Sequence, residues 1–536
     1  MSHFQLIVRR ENTDLESKLS FTRGESLLLL CQKAGISPEA PCGGKGICGK
    51  CRVKFLKNPP LPQPAERKNL TPEELRQGIR LLCVTKPSED CEVLLFGEKK
   101  PDVIGGKYDI CWENISREEK CDSDKFGGNQ SAGNDTDECA SEGGNIAEGY
   151  FIAADIGTTT LVMEKRRKCD GKAEAVYKEV NAQRVFGADV LTRMEASLSG
   201  KGEELSQKMT EQLEKGITQL CADGKKADFM VIAANTTMVH LLMNYSVENL
   251  GRAPFIPETL DEILTEIGGI KTYIMPGFSA FVGGDIGAGL YMLDFLQERI
   301  QKDIKNKLQD KSTVGQRGDI NRNEKASREK QGKWNLFIDL GTNAELVLFC
   351  EDSGICCATA AGPAFDGDAG TGFFGSDMIA VLAELLEKGI VDETGTLDDA
   401  HFETGVSVPV KDGIMQISQK QIRNLQLAKA AVRSGIEILL TKAGIEKNEI
   451  EHVFLAGGFG YYLDVHGAVT IGLLPAELEE KTTACGNAAL LGAAIYGYKI
   501  ITEESRDLPL QMKAINLAEE EEFAESYINY IDLKRN

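Results

Sequence analysis

The sequence predicts a chain of mixed class: a small α+β unit at the N-terminus, then a flexible tether, then a larger two-lobed α/β unit. Three observations carry that expectation. A loop rich in cysteine and glycine lies within residues 1–97, with a further thiol well downstream of it. Residues 112–148 offer almost nothing to bury. A strand-like run closing on Asp-x-Gly-Thr occurs twice, 184 positions apart. At 536 residues the chain exceeds one ordinary domain. Its 42% hydrophobic and 27% charged residues are those of a soluble globular protein. The net charge of −21 argues against nucleic acid or an anionic membrane as partner, because phosphate binding needs clustered Lys and Arg. No run of eighteen apolar residues is present, and the first ten residues lack the apolar core of a signal peptide. The expectation is a soluble cytoplasmic protein.

Residues 1–97 read as a β-grasp unit. Phe4–Val8 and Lys18–Phe21 alternate as strands do, and Glu25–Ala34 is apolar and helical, closed by Gly35. Next comes Pro41-Cys42-Gly43-Gly44-Lys45-Gly46-Ile47-Cys48-Gly49-Lys50-Cys51. With so little side-chain bulk, the backbone N–H groups of such a loop can turn inward towards an anion. Cys51–Leu56 is strand-like. Thr71-Pro72-Glu73-Glu74 is a capping box with proline at the first helical position, so a short helix follows it. Leu81–Val84 delivers Cys83, and Cys91–Phe96 is a last strand.

The pattern C-x5-C-x2-C…C over Cys42, Cys48, Cys51 and Cys83 is close to the C-x4-C-x2-C…C spacing of plant-type [2Fe–2S] ferredoxins. Its longer first gap resembles the variant loop of the hydroxylase ferredoxins. A zinc ribbon would show two CxxC knuckles, whereas Cys83 stands alone. Four thiolates holding a [2Fe–2S] cluster are therefore the expected metal site. Cys31 and Cys91 read as packing thiols. The fifteen cysteines, an odd number, suit cluster ligands plus reduced thiols better than a disulfide framework.

Residues 98–148 are expected to form a flexible linker. Gly127-Gly128-Asn129-Gln130-Ser131-Ala132-Gly133 cannot offset ordering entropy by burial. Cys111, Cys121 and Cys139 lie in or beside it with no fourth partner. A tether of this length would let the cluster domain swing between docking positions.

From Gly149 the pattern changes again. Tyr150–Ala154 is a buried-strand run ending in Asp155-Ile156-Gly157-Thr158-Thr159-Thr160. A strand followed by Asp, Gly and three hydroxyl residues makes a turn whose N–H and O–H groups face phosphate, while the carboxylate holds hydrated Mg²⁺. The signal recurs where Asn335–Ile338 leads into Asp339-Leu340-Gly341-Thr342-Asn343-Ala344-Glu345, so two related lobes facing one cleft are expected. Val453–Ala456 then runs into Gly457-Gly458-Phe459-Gly460, where a glycine pair lets backbone approach a flat adenosine. Gly486–Ala494 is a small-residue helix suited to packing between lobes. Phe186–Arg193, Asn235–His240 and Val282–Asp285 read as cleft or hinge segments, with His240 more simply a buried structural histidine. On the helix Gln426–Ile436, Lys429 lies either along the adenosine or in solvent. Residues 301–333 are charged without apolar periodicity and read as an exposed insertion. Cys356 and Cys357 read as structural thiols ahead of a glycine-rich loop over 361–377.

These elements, in order, resemble the acetate and sugar kinase/Hsp70/actin (ASKHA) superfamily, with its first and second phosphate loops, adenosine loop and second connecting helix. That resemblance implies a ribonuclease H-like, actin/Hsp70-like ATPase over 149–500. Its lobe I spans about 149–334, lobe II about 335–484, and a closing helix 485–500, with 501–536 as a C-terminal extension. Joined to a ferredoxin, the whole resembles the ASKHA-domain ferredoxins that act as reductive activators of corrinoid proteins. The residues that carry it are the four cysteines, Asp155–Thr160, Phe186–Arg193, Asn235–His240, Asp339–Glu345, Gly362–Gly367, Gln426–Ile436, Ala456–Gly460 and Gly486–Ala493.

The resemblance implies ATP-dependent return of one electron from a [2Fe–2S] cluster to a Co(II) corrinoid methyl-transfer protein, restoring Co(I), with an upstream low-potential electron donor. It implies ATP and Mg²⁺ as cofactors, Asp155 and Asp339 in the catalytic site, and Ser376 or its neighbours near cobalt. Gly157, Thr158, Thr159, Thr160, Gly341, Thr342, Asn343, Glu345, Lys429, Gly457, Gly458 and Phe459 would surround the nucleotide. Better-known members carry a compact middle domain, and here only the flexible stretch is expected in its place, which leaves docking geometry and a homodimer open. Three other classes stay in view. An ASKHA-type small-molecule kinase would use Asp155 or Asp339 as base; an activator of a radical dehydratase would bridge a [4Fe–4S] cluster across a dimer; an ATP-gated binding protein would not hydrolyse.

Overall fold

The computed structural model describes residues 3–11, 16–34, 36, 38, 40, 42–96, 149–295, 333–351, 353–359, 361–362, 375–410, 413–457 and 463–534. The expected linker, nearly all of the charged insertion, Gly458, Phe459 and most of the 361–377 loop lie outside the described residues, as do Gly35, Cys111, Cys121 and Cys139.

The N-terminal sheet has the order β2-β1-β5-β3-β4, with β1 Phe4–Arg10, β2 Glu16–Phe21, β3 Arg52–Lys57, β4 Ile79–Leu81 and β5 Cys91–Leu95. Only β1 and β5 run parallel; the other pairs are antiparallel. Leu27–Lys33 buries Leu27, Leu28, Leu30 and Cys31 against this sheet, capped by the Ser26 hydroxyl on Leu29 N–H. Thr71 and Glu74 close the expected capping box ahead of Pro72–Arg76. A second short helix, Pro64–Asn69, has Gln63 and Glu66 in the same reciprocal roles, and a Gln cap is a weaker signal than Ser or Thr. Burial pushes the Cys31 and Cys91 thiols up to about 12, so both are packing thiols as expected.

Two six-stranded sheets follow, and they share a plan. The first is β10-β11-β9-β6-β7-β8, from β6 Tyr150–Ile156, β7 Thr160–Arg167, β8 Ala173–Val180, β9 Ala227–Ala234, β10 Ile263–Ile267 and β11 Ile270–Ile274. The second is β18-β17-β12-β13-β14-β19, from β12 Trp334–Leu340, β13 Ala344–Cys350, β14 Ser353–Thr359, β17 Ile450–Ala456, β18 Thr482–Gly486 and β19 Gln511–Ala514; β15 Val406–Val410 and β16 Gly413–Ile417 form a separate hairpin. In each sheet an antiparallel meander (β6-β7-β8, β12-β13-β14) continues into parallel strands on the far side of its first member. The repeated Asp-x-Gly-Thr motif is thus the sequence trace of two lobes with one topology.

The segment 501–536 is not an appendage. β19 pairs parallel with β14, and the helix Glu521–Asn529 packs on the long helix Gln419–Ala443. The closing helix, Ala488–Ile501, crosses from the second lobe to pack on β6 and β9 of the first. Its small residues set the distance: a methyl group on Gly492 would stand 1.8 Å from the carbonyl oxygen of Ala288 in helix 284–295. Gly492→Val is expected to cost about 1–3 kcal/mol by overpacking, read as a lower thermal midpoint and weaker nucleotide binding. An unchanged midpoint would show that the two helices separate freely.

Candidate active site

The cluster loop turns on glycines with positive φ at 43, 44, 46 and 49. At Gly46 the fit is closest, since a methyl group would lie 2.7 Å from Val84 Cγ1. The four thiols form two pairs. Cys51 Sγ lies 3.2 Å from Cys83 Sγ, and Cys42 hydrogen-bonds Cys48. Burial alone would raise the Cys42 thiol, but N–H groups of Ile47, Cys48 and Gly46 bring it down to about 7. The hydrogen bond that Cys51 donates to Cys83 lowers the Cys83 thiol and, with burial, raises that of Cys51. Among the described residues no three His, Cys, Asp or Glu side chains converge as one ion would require. Two close thiol pairs wrapped in N–H donors fit the four-thiolate ligand set of a [2Fe–2S] cluster.

Sequence reasoning missed how Cys83 is held. Glu66, 1% exposed, accepts from Leu81 N–H at 2.8 Å and from Thr85 Oγ1 at 2.7 Å, pinning both ends of the turn that carries Cys83. The other Glu66 oxygen accepts from Gln63 N–H at 2.7 Å. A charged residue in a short polar run gives no hint that it is buried.

The two Asp-x-Gly-Thr turns close alike. Gly157 N–H donates to Thr160 O at 2.9 Å, and Gly341 N–H to Asn343 O at 2.8 Å. They face each other, with Thr159 Oγ1 and Thr342 Oγ1 3.1 Å apart. Asp155 and Asp339 occupy matching strand ends, opposite Ala233 of β9 and Ala456 of β17. Asp339 pairs across the β12–β13 hairpin with Glu345, and Asn487 at the cap of the closing helix donates to Asp155 Oδ2 at 2.8 Å. Gly457, at φ +95°, begins the third loop against this site: a methyl group there would lie 2.2 Å from Leu340 O and 2.6 Å from Asp339 Oδ1.

Four carboxyl groups share the cleft. Burial, then Asp285 and Asp155, push Asp339 up to about 8. Burial is the main cause for Asp155 as well, raised to about 7 with Asp285 adding to it and Asn487 opposing. Asp285 itself is raised to about 6 by burial, against backbone N–H donors. Glu345 is raised by burial and by Asp285 and Asp339. Asp285, noted in sequence only as a cleft residue, is therefore part of this group; one Asp after two glycines carries no signal of its own.

The folded-state values lie above the ordinary carboxylate range, so the folded protein holds the extra protons. Their stabilising effect is complete below about pH 4 and fades as pH rises through about 6 to 8. The thermal midpoint of metal-free wild type is expected to drop across pH 5–8.5 more steeply than that of Asp285→Asn. Parallel pH profiles for the two proteins would contradict the shared cleft.

Two expected site residues, Lys429 and Ser376, sit differently, and His240 is the buried structural histidine the sequence suggested. Lys429 is neither solvated nor open to a ligand: it is 1% exposed, and its Nζ donates to Asp532 O of the C-terminal segment at 2.6 Å. Burial, with help from Arg433, draws it down to about 7. On the same helix the Nη1 and Nη2 atoms of Arg433 and the Ser434 hydroxyl are buried without partners among the described residues. Ser376 opens the helix Gly375–Glu387 at 5% exposure, so its side chain is turned away from the surface. His240 is structural: Nδ1 donates to Thr236 O at 2.8 Å, Nε2 accepts from Glu258 N–H at 2.9 Å, and burial lowers its pKa. The Cys356 and Cys357 thiols are buried and raised, hence also structural.

Comparison with known proteins agrees with this division. The 2Fe-2S iron-sulfur cluster binding domain model matches residues 12–88, the RACo middle region 150–298, and the C-terminal ASKHA domain of RACo 333–371 and 366–536. The chain belongs to the RACo family of ASKHA-domain ferredoxins. The middle-region match corrects the expectation that only a flexible stretch stands between ferredoxin and ATPase: the RACo middle region is the first lobe itself, β6–β11 and its helices. A corrinoid activation enzyme, RamQ, of Eubacterium limosum is 29% identical over 455 residues, covering 71% of this chain and 69% of that protein. A component of the Na⁺-translocating NADH-quinone reductase of Chlamydia caviae is 40% identical over 67 residues, only 12% of this chain and 16% of its own. A solved structure, a reductive activator for corrinoid,iron-sulfur protein, superposes with TM-score 0.57 over 99% of this chain and 98% of that one, at 23% identity. RACo-family membership thus joins a [2Fe–2S]-binding domain and an ASKHA domain in one polypeptide.

Proposed function

We propose that this RACo-family chain reductively activates a corrinoid protein at the expense of ATP. The observation that carries the reading is the pairing of thiols Cys42/Cys48 and Cys51/Cys83 in one domain with two facing Asp-x-Gly-Thr loops in the same chain. The names of the relative and of the structural neighbour, a corrinoid activation enzyme and a reductive activator, support it.

A [2Fe–2S] cluster held by the four thiolates supplies a single electron, at a potential near roughly −400 mV for plant-type clusters. The chain's residues do the rest. Backbone N–H groups of the loop stabilise thiolate charge, and Glu66 fixes the turn that presents Cys83. Gly157–Thr160 and Gly341–Asn343 bracket the nucleotide phosphates, Gly457 lets backbone approach the nucleoside, and Asp155 and Asp339 orient hydrated Mg²⁺. Each ~59 mV uphill costs about tenfold in a one-electron equilibrium, so transfer to a lower-potential cobalt couple needs binding energy and ATP turnover. Closure of the lobes about the Gly492–Ala288 crossing would change the grip on the corrinoid protein. An upstream low-potential donor refills the carrier. The reading sets this activity in the cytoplasm; no helix among the described residues is long and apolar enough to cross a membrane.

The test is direct. Chemically reduced protein, Mg-ATP and a Co(II) corrinoid protein are mixed without oxygen, and the Co(I) absorption band is followed. The same protein is offered acetate and a sugar panel with labelled ATP. Co(I) formation without phosphorylated product is expected; phosphoryl transfer with no Co(I) would make the chain a kinase.

A further inference from the structure

One stretch touches both chemical centres. From Asn181 the chain runs through the 3-10 turn Ala182–Phe186 into the helix Val190–Ala196. Its inner side grips the first phosphate loop. Asn181 Nδ2 donates to Gly157 O at 2.7 Å, Asn181 N–H to Thr159 O at 2.9 Å, and Arg193 Nη2 to Thr158 O at 2.5 Å. Arg193 Nε also donates to Gly187 O at 3.0 Å, and both Asn181 and Arg193 are essentially unexposed. Three consecutive phosphate-loop carbonyls, at 157, 158 and 159, are thus held by two buried side chains and one backbone amide of this stretch.

Its outer side carries the iron–sulfur domain. Gln32 Nε2 donates to Val185 O at 3.1 Å, and Lys45 Nζ lies 2.5 Å from Glu195 Oε2. At Gly43, the residue after the first cluster cysteine, a methyl group would stand 3.0 Å from Phe186 O. The carbonyls at 185 and 186 meet the cluster domain, and the next, at 187, is held by Arg193. From Gly43 to Thr158 the path is one run of backbone plus a single guanidinium.

We propose that residues 181–195 couple the nucleotide site to the docking of the iron–sulfur domain, with Arg193 as the positioning residue between Gly187 and Thr158. The proposal rests on residues 157–160 being the phosphate loop, as read above. Phosphates drawn to the N–H and O–H groups of this loop displace the carbonyls that Asn181 and Arg193 hold. Buried guanidinium bonds to two carbonyls cannot both stay short if one of them moves, so the shift is passed to 185–187 and to the cluster loop. By linkage, docking must alter nucleotide affinity by the same factor that nucleotide alters docking. An electron carrier would then be held or released according to the occupancy of the ATP site.

The experiment uses cluster-loaded full-length protein. Nucleotide affinity is measured calorimetrically with a non-hydrolysable Mg-ATP analogue, and amide hydrogen exchange over 42–51 and 185–187 is followed with and without it. In wild type the analogue is expected to change exchange in both stretches by about threefold or more. Lys45→Glu, on the cluster domain, is expected to shift nucleotide affinity about two- to fivefold, the scale of an exposed ion pair. Adding Glu195→Lys to it is expected to restore the wild-type value. Arg193→Lys, which keeps the charge but not both bonds, is expected to bind the analogue while losing its effect on 42–51. Absence of analogue binding to wild type overturns the ATP reading and the coupling with it. Binding that leaves exchange at 42–51 unchanged, with wild-type affinity in Lys45→Glu, overturns the coupling alone.

Discussion

Cys83→Ser is expected to purify without oxygen as a pale protein that yields Co(I) only at the background rate. The thiol delivered from the turn after β4 is one of four, and it completes the pair with Cys51 at 3.2 Å. A serine hydroxyl is a far weaker iron ligand than a thiolate, because iron in these clusters is matched to soft sulfur donors. The loss should be local. Leu81 N–H and Thr85 Oγ1 would still bond Glu66, so the turn keeps its path and the melting of the other domains is unaffected. Cys31→Ser is the control: its thiol lies on the helix Leu27–Lys33, outside the C-x5-C-x2-C…C pattern, buried in the β-grasp core and raised to about 12. That protein should keep its colour. Equal iron content in Cys83→Ser and wild type would remove Cys83 from the ligand set.

Asp339→Asn is expected to move stability and activity in opposite directions. Asp339 sits among Asp155, Asp285 and Glu345 and is pushed up to about 8 by burial and by Asp285 and Asp155. Replacing it with a neutral amide removes a charge that its neighbours repel, so the metal-free protein should melt at a higher temperature near pH 8. On the proposed reading, the same change removes a carboxylate that would orient Mg²⁺ beside the phosphates. Loss of one positioned electrostatic contact of this kind costs about 10²–10³ in turnover, and ATP-dependent Co(I) formation should fall by that factor. A variant both less stable and fully active would mean that Asp339 serves packing rather than the nucleotide.

Both residues stood out in the sequence because each belongs to a short, recognisable pattern. The cysteines have diagnostic spacing, and the Asp-x-Gly-Thr turn announced itself by recurring. The shared topology of the lobes followed from that recurrence, and the capping box at Thr71 from local rules alone. What escaped was long-range. The placement of Glu66 against Cys83, of Asn487 on Asp155 and of Asp285 beside Asp339 depends on contacts between elements far apart in the chain. Lys429 shows the same limit from the other side: its helix was expected, but its burial under the C-terminal segment depends on a tail more than a hundred residues away. The C-terminal extension after 501 gave no sign of joining the second sheet because its β19 is only four residues long, too short to alternate visibly.

The central claim is that the electron does not reach its acceptor unless the nucleotide domain works. Equal amounts of the fully reduced protein and a Co(II) corrinoid protein, mixed anaerobically with Mg-ATP, with Mg-ADP and with no nucleotide, put that claim to a single measurement of Co(I) yield. A yield at least tenfold higher with Mg-ATP than in the other two tubes is the predicted result. The same yield in all three would show that the iron–sulfur domain acts alone and that the ATPase lobes serve some other purpose.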